Sequence, residues 1–394
     1  MKVLAITNLF GFPWDPSRGV FNQQQFQRLG THVDLTVLVA VPWTEAFRRP
    51  RAYWRARRDG RKRWPGVDYF VFWYPPGVLR SLHSLFFFLS MLVQRPMLLL
   101  GTRWAAVIGS WAYPDAVAAT LFARLTRTPS LMKIHGSDLN DYLAERGKRW
   151  QILAAARRCH RVMTASAALR MRLIEAGIAS PRVEVNYNGV DAHRFCPADR
   201  GASRATLGLP QSGRWLLYVG NLKVAKGCVD LVDAYLALAG EFLDLNLAMV
   251  GGGPAQAAIE QRVAAAGAQA RVRLVGKAAH ASLPVWFAAA DLLCLPSHNE
   301  GVPNVVLESM ACGVPVVVTA VGGIPEVVPA HAGVLVPPHD PVALQAALRL
   351  ALNTRWDTAR IAAHGKTFSW DANVRRVLDR LGELSGIELE TEAS

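Results

Sequence analysis

The sequence predicts an α/β protein built from two doubly wound parallel sheets, each belonging to a Rossmann-like domain. Short apolar runs alternate with helical patterns along the chain, which is typical of βα units. The strand candidates are apolar along nearly their whole length, as parallel strands are when helices cover both faces. The length of 394 residues favours two domains of about 150–200 residues each.

The apolar runs predict seven strands in the first half and six in the second. They span 2–7, 35–40, 69–73, 105–110, 130–134, 161–165 and 183–186, and then 215–220, 245–251, 272–276, 291–297, 314–319 and 333–336. The segment 187–203 is rich in Asn, Gly, Pro and Asp and carries no periodicity, which indicates a domain boundary. We predict a first domain over 1–190 and a second over 191–368. An amphipathic helix with a tail, 369–394, is expected to pack back toward the first domain.

The excess of positive over negative charge lies in the first half of the chain. Residues 1–200 contain 29 Lys and Arg against 13 Asp and Glu, whereas the whole chain has a net charge of +14. The segment 47–64 carries nine cations and one acid, interleaved with Phe47, Tyr53, Trp54 and Trp64. This pattern indicates either an interfacial membrane segment or a solvated charged loop. The apolar stretch 82–101 is interrupted at 94–96 and is too short to span a bilayer, which takes about 20 residues.

The compartment is expected to be the cytoplasm, on the inner face of the plasma membrane. Five cysteines form no C-x-x-C pair, and three lie in or beside apolar runs, which is typical of buried thiols in a reducing compartment. The first ten residues are followed by no small-residue cleavage site, so we expect no signal peptide.

Two glutamates, Glu300 and Glu308, lie where the pattern predicts a strand, a loop and then a helix from Asn304. Such a junction presents backbone N–H groups and a positive helix end to an anion at the carboxyl edge of a sheet. Glu308 falls among apolar helix residues, where a carboxylate is costly to bury without hydrogen-bond donors. The vicinal hydroxyls of a ribose would supply such donors. Pairing with an arginine elsewhere, or simple exposure, are the alternatives.

The run EGVPNVVLESMACGVPVV, followed by GGIPE, resembles the donor-site signature of glycosyltransferase family 4. That signature is E-G-x-P-N-x-x-x-E-A-M-A-x-G-x-P-V-V and then G-G-x-x-E, so the serine at 309 is a mild departure. The resemblance implies the GT-B fold, in which two Rossmann-like domains face each other across a cleft. It also implies retaining sugar transfer from an activated nucleotide sugar, with Glu300 near the donor sugar and Glu308 on the ribose hydroxyls.

Other segments resemble further elements of the same family, in chain order. KIHGSD resembles its H-G-x-D element, NGVDAHRFCP its interdomain N-G-V-D-x-x-x-F-x-P, YVGNLKVAKG its V-G-R-L-x-x-x-K-G, and MVGGGP its G-x-G-P turn. The first loop, GFPWDPSRGVF, resembles the start of the branch typified by teichuronic-acid and other bacterial exopolysaccharide transferases. In the family, an arginine and a lysine of the V-G-R-L-x-x-x-K-G element bind the diphosphate. Here the arginine is replaced by Asn221, while the lysine is retained as Lys226. Lys223 either restores the missing charge or is a solvated surface cation.

The resemblance implies a set of site residues. His135, Lys226 and Glu300 are the expected catalytic residues, although a lone histidine at a strand end is often structural. The expected donor-binding residues are Gly19, Asn221, Lys223, Lys226, Glu300, Gly301, Pro303, Asn304, Val305 and Glu308.

The function that follows is transfer of a sugar from a nucleoside-diphosphate sugar to a glycan or polyprenyl-linked acceptor in cell-surface polysaccharide synthesis. No cofactor is expected, and no metal, because the sequence has no Asp-x-Asp pair. The expected partners are the nucleotide sugar, the acceptor and an anionic membrane surface, and no nucleic acid. The alternatives are a nucleotide-sugar epimerase or hydrolase of the same fold, and a basic nucleic-acid-binding protein. An inactive scaffold is disfavoured by the presence of Glu300, Glu308, Lys226 and His135.

Overall fold

A computed structural model of the chain describes residues 1–64 and 66–386, without the side chains of 60–63 and 137. The predicted tail 387–394, and the side chains of Arg61, Lys62 and Arg63 in the basic segment, lie outside the described residues. The chain divides into two compact units. Unit 1 comprises Met1–Tyr187 together with the chain from Trp370, and unit 2 comprises Asn188–Ser369.

Unit 1 is a parallel sheet of seven strands with helices between them. Its strands are β1 (Lys2–Thr7), β2 (Asp34–Pro42), β3 (Val67–Phe72), β4 (Ala106–Ser110), β5 (Ser130–Ile134), β6 (Arg161–Thr164) and β7 (Val183–Val185), in the order β3-β2-β1-β4-β5-β6-β7. Its helices are α1 (Val20–Leu29), α2 (Trp43–Arg48), α3 (Pro50–Arg63), α4 (His83–Gln94), α5 (Met97–Leu100), α6 (Val117–Leu125), α7 (Ser137–Asn140), α8 (Arg146–Arg158) and α9 (Ala167–Glu175).

Unit 2 repeats this plan with six parallel strands. They are β8 (Arg214–Val219), β9 (Leu245–Val250), β10 (Val272–Gly276), β11 (Leu292–Leu295), β12 (Val316–Thr319) and β13 (Gly333–Val336), in the order β10-β9-β8-β11-β12-β13. Its helices are α10 (Arg200–Leu207), α11 (Cys228–Leu238), α12 (Gln256–Ala265), α13 (Leu283–Ala289), α14 (Asn304–Ala311), α15 (Ile324–Val327), α16 (Pro341–Asn353) and α17 (Thr358–Lys366).

The predicted α/β fold class is confirmed, with each predicted strand present within a few residues of its expected bounds. The central strands are buried along nearly all their length, as β4, β5, β11 and β12 illustrate. In each sheet the strand order reverses beside the first strand, next to β1 in unit 1 and β8 in unit 2. Ligands of open α/β sheets bind at the carboxyl ends of the strands around such a reversal.

The last helix, α18 (Trp370–Ser385), returns to unit 1 and packs against α1. Its apolar side, which includes Val377 and Leu381, joins the core formed by one face of the unit 1 sheet. Asn373 at its start donates a hydrogen bond of 2.6 Å to the carbonyl of Tyr187, and Arg380 forms an ion pair with Glu184 at 2.8 Å. The buried apolar side chains, together with the Asn373 hydrogen bond and the Arg380 ion pair, thus hold α18 on unit 1.

Segment 47–64 is helical, so the loop alternative is wrong, whereas the interfacial interpretation stays a prediction. The segment forms the end of α2 and all of α3, but Tyr53 and Trp64 are buried in the unit 1 core rather than exposed. Only Phe47 and Trp54 present large exposed rings. The reason is that α3 covers β3, so the apolar side chains on that side of the helix fill the core.

The apolar stretch 82–101 forms α4 and α5, with a break at Pro96, which cannot donate a backbone hydrogen bond. Within the described part of the chain, each helix is too short or too polar to cross a membrane. Four cysteines are buried thiols, and Cys196 is half-buried.

Candidate active site

Glu308 is a buried carboxylate with one unused oxygen. It lies one turn into α14 and is 3% exposed. Its Oε1 lies 2.7 Å from Nε2 of His280, whereas the buried Oε2 has no hydrogen-bond partner among the described residues. A buried polar group left unpaired costs about 1–3 kcal/mol, and more when it is charged. The geometry therefore favours a ligand that donates hydrogen bonds here. The structure shows neither the arginine pair nor the exposure that the sequence left open.

His280 is the partner of Glu308 that sequence reasoning missed. It lies just before α13, and its ring packs 5.2 Å from that of Phe195. A carboxylate accepts hydrogen bonds and does not donate them, so Nε2 of His280 carries the proton in this contact. The sequence offered little indication of this role, because His280 is a single histidine in a stretch that otherwise predicts the start of a helix.

Lys226 and Glu300, which the sequence assigned to different parts of the donor, are in contact. The Lys226 Nζ lies 2.6 Å from Oε1 of Glu300, and the Ser297 hydroxyl donates to the same oxygen at 2.9 Å. The Thr319 hydroxyl in turn donates to the Ser297 carbonyl, which ties this loop to β12. An ammonium and a carboxylate are thus held together at the carboxyl ends of β11 and β12.

Glycines allow the loops of this site to approach one another. Gly227 has φ +64°, and a Cβ there would collide with the Pro296 carbonyl. Gly322 has φ +55°, and a Cβ there would collide with the Glu300 carbonyl. Both positions need a residue that adopts positive φ without a side chain. The K-G and G-G elements therefore bring Lys226 and Glu300 into one site.

The other donor-binding candidates of unit 2 lie in the same two loops or on α14. Asn221 and Lys223 are exposed in the loop after β8. The Gly301 carbonyl accepts the N–H of Gly323, and Pro303 precedes the first residue of α14. On the helix itself, Asn304 accepts a hydrogen bond of 3.0 Å from the Asn188 amide, and Val305 is half-buried.

His135 lies in unit 1, directly after β5, and its ring is held by a chain of hydrogen bonds. Its Nε2 is 2.9 Å from the Ser110 hydroxyl, which donates to Oδ1 of Asn22 at 2.8 Å. The amide nitrogen of Asn22 donates to the Leu9 carbonyl at 2.8 Å, which fixes the amide orientation. Because the Ser110 proton is already used, Nε2 of His135 is the donor. Its buried Nδ1, unpaired among the described residues, is therefore a bare acceptor.

The electrostatics around His135 keep the ring neutral. Burial, and next the nearby Lys133 ammonium, hold the pKa of His135 well below its usual range. Burial also lowers the pKa of Lys133 to about 7. Asp138 accepts hydrogen bonds from the backbone N–H groups of His135, Gly136 and Ala112, at 3.0, 2.7 and 2.8 Å. This carboxyl fixes the turn, and burial raises its pKa to about 6.

Gly19 ends the first loop of unit 1 and precedes α1. It has φ +59°, and a Cβ there would collide with the Leu9 carbonyl. Its neighbour Arg18 donates from Nε to the Asn8 carbonyl at 3.0 Å and lies over the Phe12 ring. The Asn8 N–H donates to Asp115 at 2.6 Å. Asp115, which sequence reasoning missed, is fully buried, and burial raises its pKa well above the ordinary value.

Comparison with known proteins matches each half of the chain to a glycosyltransferase description. "Glycosyl transferases group 1" matches residues 199–368, and "Glycosyltransferase Family 4" matches residues 24–194. Both halves of the chain are therefore similar to glycosyltransferases. The predicted glycosyltransferase class is supported in both halves of the chain, while family 4 for the whole chain and the exopolysaccharide branch stay predictions.

Curated relatives of the chain include D-inositol 3-phosphate glycosyltransferases. The protein of that name from Salinispora tropica is 38% identical over an alignment of 232 residues, and the match covers 54% of this chain and 48% of the relative. The one from Mycobacterium bovis is 36% identical over 207 residues, 50% of this chain and 42% of the relative. The chain spans about half the length of the curated relatives it matches.

Solved structures confirm the GT-B fold. Anabaena Alr3699/HepE in complex with UDP matches with a TM-score of 0.75 at 19% identity, covering 97% of this chain and 99% of that one. Sucrose-phosphate synthase from Thermosynechococcus elongatus matches with a TM-score of 0.77 at 20% identity, covering 98% and 99%. At this level of identity the likeness concerns the fold.

The unit 2 geometry suits an anion beside a polyol. Lys226 offers a cation, the start of α14 offers a positive helix end, and the unused oxygen of Glu308 offers an acceptor for hydroxyls. The assignment of each residue to a part of the donor stays a prediction.

Proposed function

We propose that the chain transfers a sugar, with retention, from a nucleoside-diphosphate sugar to a hydroxyl of a glycan or polyprenyl-linked acceptor. Its place would be the synthesis of cell-surface polysaccharide. The observation that carries this proposal is the unused buried oxygen of Glu308, on a helix next to the Lys226–Glu300 pair. Two vicinal ribose hydroxyls satisfy a carboxylate of this kind, and a diphosphate suits the neighbouring ammonium.

The reaction breaks the bond between the anomeric carbon and the diphosphate oxygen. The acceptor oxygen forms the new bond on the same face of the sugar, and its proton passes to the departing diphosphate. Negative charge therefore grows on the diphosphate in the transition state, and stabilising that charge is the main catalytic task. We assign it to Lys226 and the start of α14. We expect no metal ion to take part, in line with the missing Asp-x-Asp pair.

His135 has the chemistry of a hydroxyl-orienting group. Its neutral ring presents Nδ1 as an acceptor, while Nε2 is held by Ser110. An acceptor nitrogen binds the proton of a sugar hydroxyl without adding charge at an anomeric carbon that becomes positive. Glu300 would hold further sugar hydroxyls, in exchange for part of its contact with Lys226.

A second candidate acceptor is D-inositol 3-phosphate, which is part of the name of the relatives. The excess of cations in the first half of the chain suits a phosphorylated acceptor as well as a diphosphate-linked one. Both share an anionic phosphate group. We place the enzyme at the cytoplasmic membrane surface, because a polyprenyl-linked acceptor would be presented there.

Thermal shift with nucleotide sugars tests the donor, since a ligand that binds only the folded state raises its melting temperature. We expect UDP or GDP sugars to raise the melting temperature, and the free sugars to leave it unchanged. Product analysis with the responding donor then separates the reaction classes. A product formed only with acceptor supports transfer, whereas free sugar or an epimerised donor without acceptor would identify a hydrolase or an epimerase. Parallel assays with inositol 3-phosphate and with a polyprenyl-diphosphate saccharide distinguish the two acceptors.

A further inference from the structure

Unit 1 exposes an apolar surface that its own core does not use. On α4, Leu85, Leu89 and Val93 recur every four residues on the side opposite the buried Phe87 and Met91. Val93 is 79% exposed, and Leu100 on α5 is 82% exposed. Monomeric proteins rarely leave large contiguous apolar patches in water, and such patches mark interaction sites.

The surface continues from α4 across α6 to α8. Helix α4 packs against α6, and α6 packs against α8. Leu121 and Leu125 lie four residues apart on α6, and both are exposed, as is Trp150 on α8. A groove of about 300 Å³ joins the three helices, with Leu85, Leu121 and Trp150 among its lining residues. The exposed side chains of α4, α6 and α8 therefore form one surface, which we call the α4–α6–α8 face.

Charge gives this face a preferred partner. Between residues 69 and 137 the sequence has a single acid, Asp115, and that carboxyl is buried. Helix α8 carries five Lys and Arg and no acid. Arg124 and Arg158 line the groove itself, and Arg103, Arg127 and Arg149 are also exposed nearby in the chain. The face is thus apolar, is surrounded by cations and has no exposed acid between 69 and 137. Such a face is complementary to a partner with an apolar interior and an anionic outer layer.

We propose that the α4–α6–α8 face docks on an anionic phospholipid bilayer, with its leucines, Val93 and Trp150 in the interfacial layer and its arginines at the head groups. Tryptophan prefers this layer, and each cation near an anionic surface strengthens the attachment. No span is required, because helices with one apolar side lie in the plane of the interface. The inference rests on the membrane association included in the proposed function, and it names a different surface from the basic helix α3.

Vesicle flotation of the full chain tests this inference. Wild type should float with vesicles of equal parts phosphatidylcholine and phosphatidylglycerol, and much less with phosphatidylcholine alone. The variant Leu89→Asn/Val93→Asn/Leu125→Asn changes only exposed side chains of this face and should lower the bound fraction at least about tenfold. The variant Arg124→Gln/Arg158→Gln should lower binding to the anionic vesicles severalfold and leave binding to the neutral ones unchanged.

Two further variants serve as controls. Leu243→Asn/Val342→Asn/Leu350→Asn makes the same chemical change at three exposed apolar positions of unit 2 and should float like wild type. Arg55→Gln/Arg57→Gln/Arg58→Gln removes charge from α3 and should have the smaller effect. Melting temperatures establish that each variant is folded.

The outcomes separate the docking surface from the enzyme activity. If the α4–α6–α8 variants float like wild type while the α3 variant does not, the inference is wrong and α3 is the attachment. If wild type binds neither kind of vesicle, both the docking surface and the membrane association are wrong. In either case the nucleotide-sugar thermal shift and the product assay still decide the proposed transfer independently.

Discussion

Replacing Glu308 by glutamine tests the donor site at its most informative residue. The amide keeps the size of the side chain but removes the charge, and it offers one oxygen where the carboxylate offers two. In the wild-type structure one oxygen is engaged by His280 and the other is unused. The glutamine oxygen can serve His280 or a ribose hydroxyl, and its NH₂ group cannot accept from the second partner.

The expected loss follows from this count of acceptors. A hydrogen bond to a charged group contributes about 1.5–3 kcal/mol, and every 1.4 kcal/mol is about tenfold in affinity. Glu308→Gln should therefore weaken nucleoside-diphosphate binding by about 10- to 150-fold. The stability of the free chain should change little, because the substitution also removes a buried charge that lacks a second partner.

Isothermal titration with the nucleoside diphosphate measures this loss, and the melting temperature without ligand checks the fold. Glu260→Gln is the matched control, because it removes an exposed carboxylate of unit 2 on α12. Control and wild type should bind alike. Unchanged affinity in Glu308→Gln would refute the ribose assignment, and a large loss of stability without ligand would show that the carboxylate is structural.

Four further changes probe Lys226, Lys223, His135 and Lys133. Lys226→Ala should lower turnover of bound donor more than donor affinity, because charge on the diphosphate grows in the transition state; single-turnover rates test this, and unimpaired turnover would remove Lys226 from the site. Lys223→Ala should lower donor affinity if Lys223 replaces the missing arginine, and wild-type behaviour would identify a solvated cation. His135→Ala should abolish most transfer while nucleotide binding to unit 2 persists, and a strong loss of nucleotide affinity would contradict its assignment to the sugar. Lys133→Met tests the pH dependence of stability. Lys133 loses its proton near pH 7 in the folded chain, whereas an unfolded lysine keeps it up to about pH 10.5. The free energy of unfolding of wild type should therefore rise with pH between these two values. The rise is at most about 1.4 kcal/mol per pH unit, and urea unfolding across the window should show it in wild type and not in the variant.

Strands of a doubly wound sheet were predictable because each is buried on both faces and leaves a nearly continuous apolar run. The same signal is ambiguous wherever one helix has both a buried and an exposed side. Tyr53 and Trp54 are adjacent in the sequence and equally aromatic, yet one is in the core and the other is in solvent. Their burial differs because only one side of α3 packs against β3. Amino-acid composition does not specify which side of the helix that is. The apolar surface of α4 was hidden for the same reason, since Phe87 and Leu89 differ only in the side of the helix they occupy.

The residues of the candidate site were predictable as chemical types, but their partners were not. Glu308 and His280 are 28 positions apart, and Lys226 and Glu300 are 74 apart, so no local spacing reports these contacts.

The Lys226–Glu300 contact has a consequence for catalysis. A diphosphate that reaches Lys226 competes with a carboxylate already bound to it, so part of the attraction to the ground-state diphosphate is offset by the weakened ion pair. As the diphosphate gains charge in the transition state, its attraction to Lys226 grows while the cost of parting from Glu300 stays the same. Because of the ion pair, Lys226 stabilises the transition state more than the bound donor, and so increases turnover more than donor affinity. Glu300→Gln should then tighten binding of the free nucleoside diphosphate while slowing transfer of the sugar. Weaker diphosphate binding in that variant, measured beside wild type, would show that Glu300 supports the ammonium instead of competing for it.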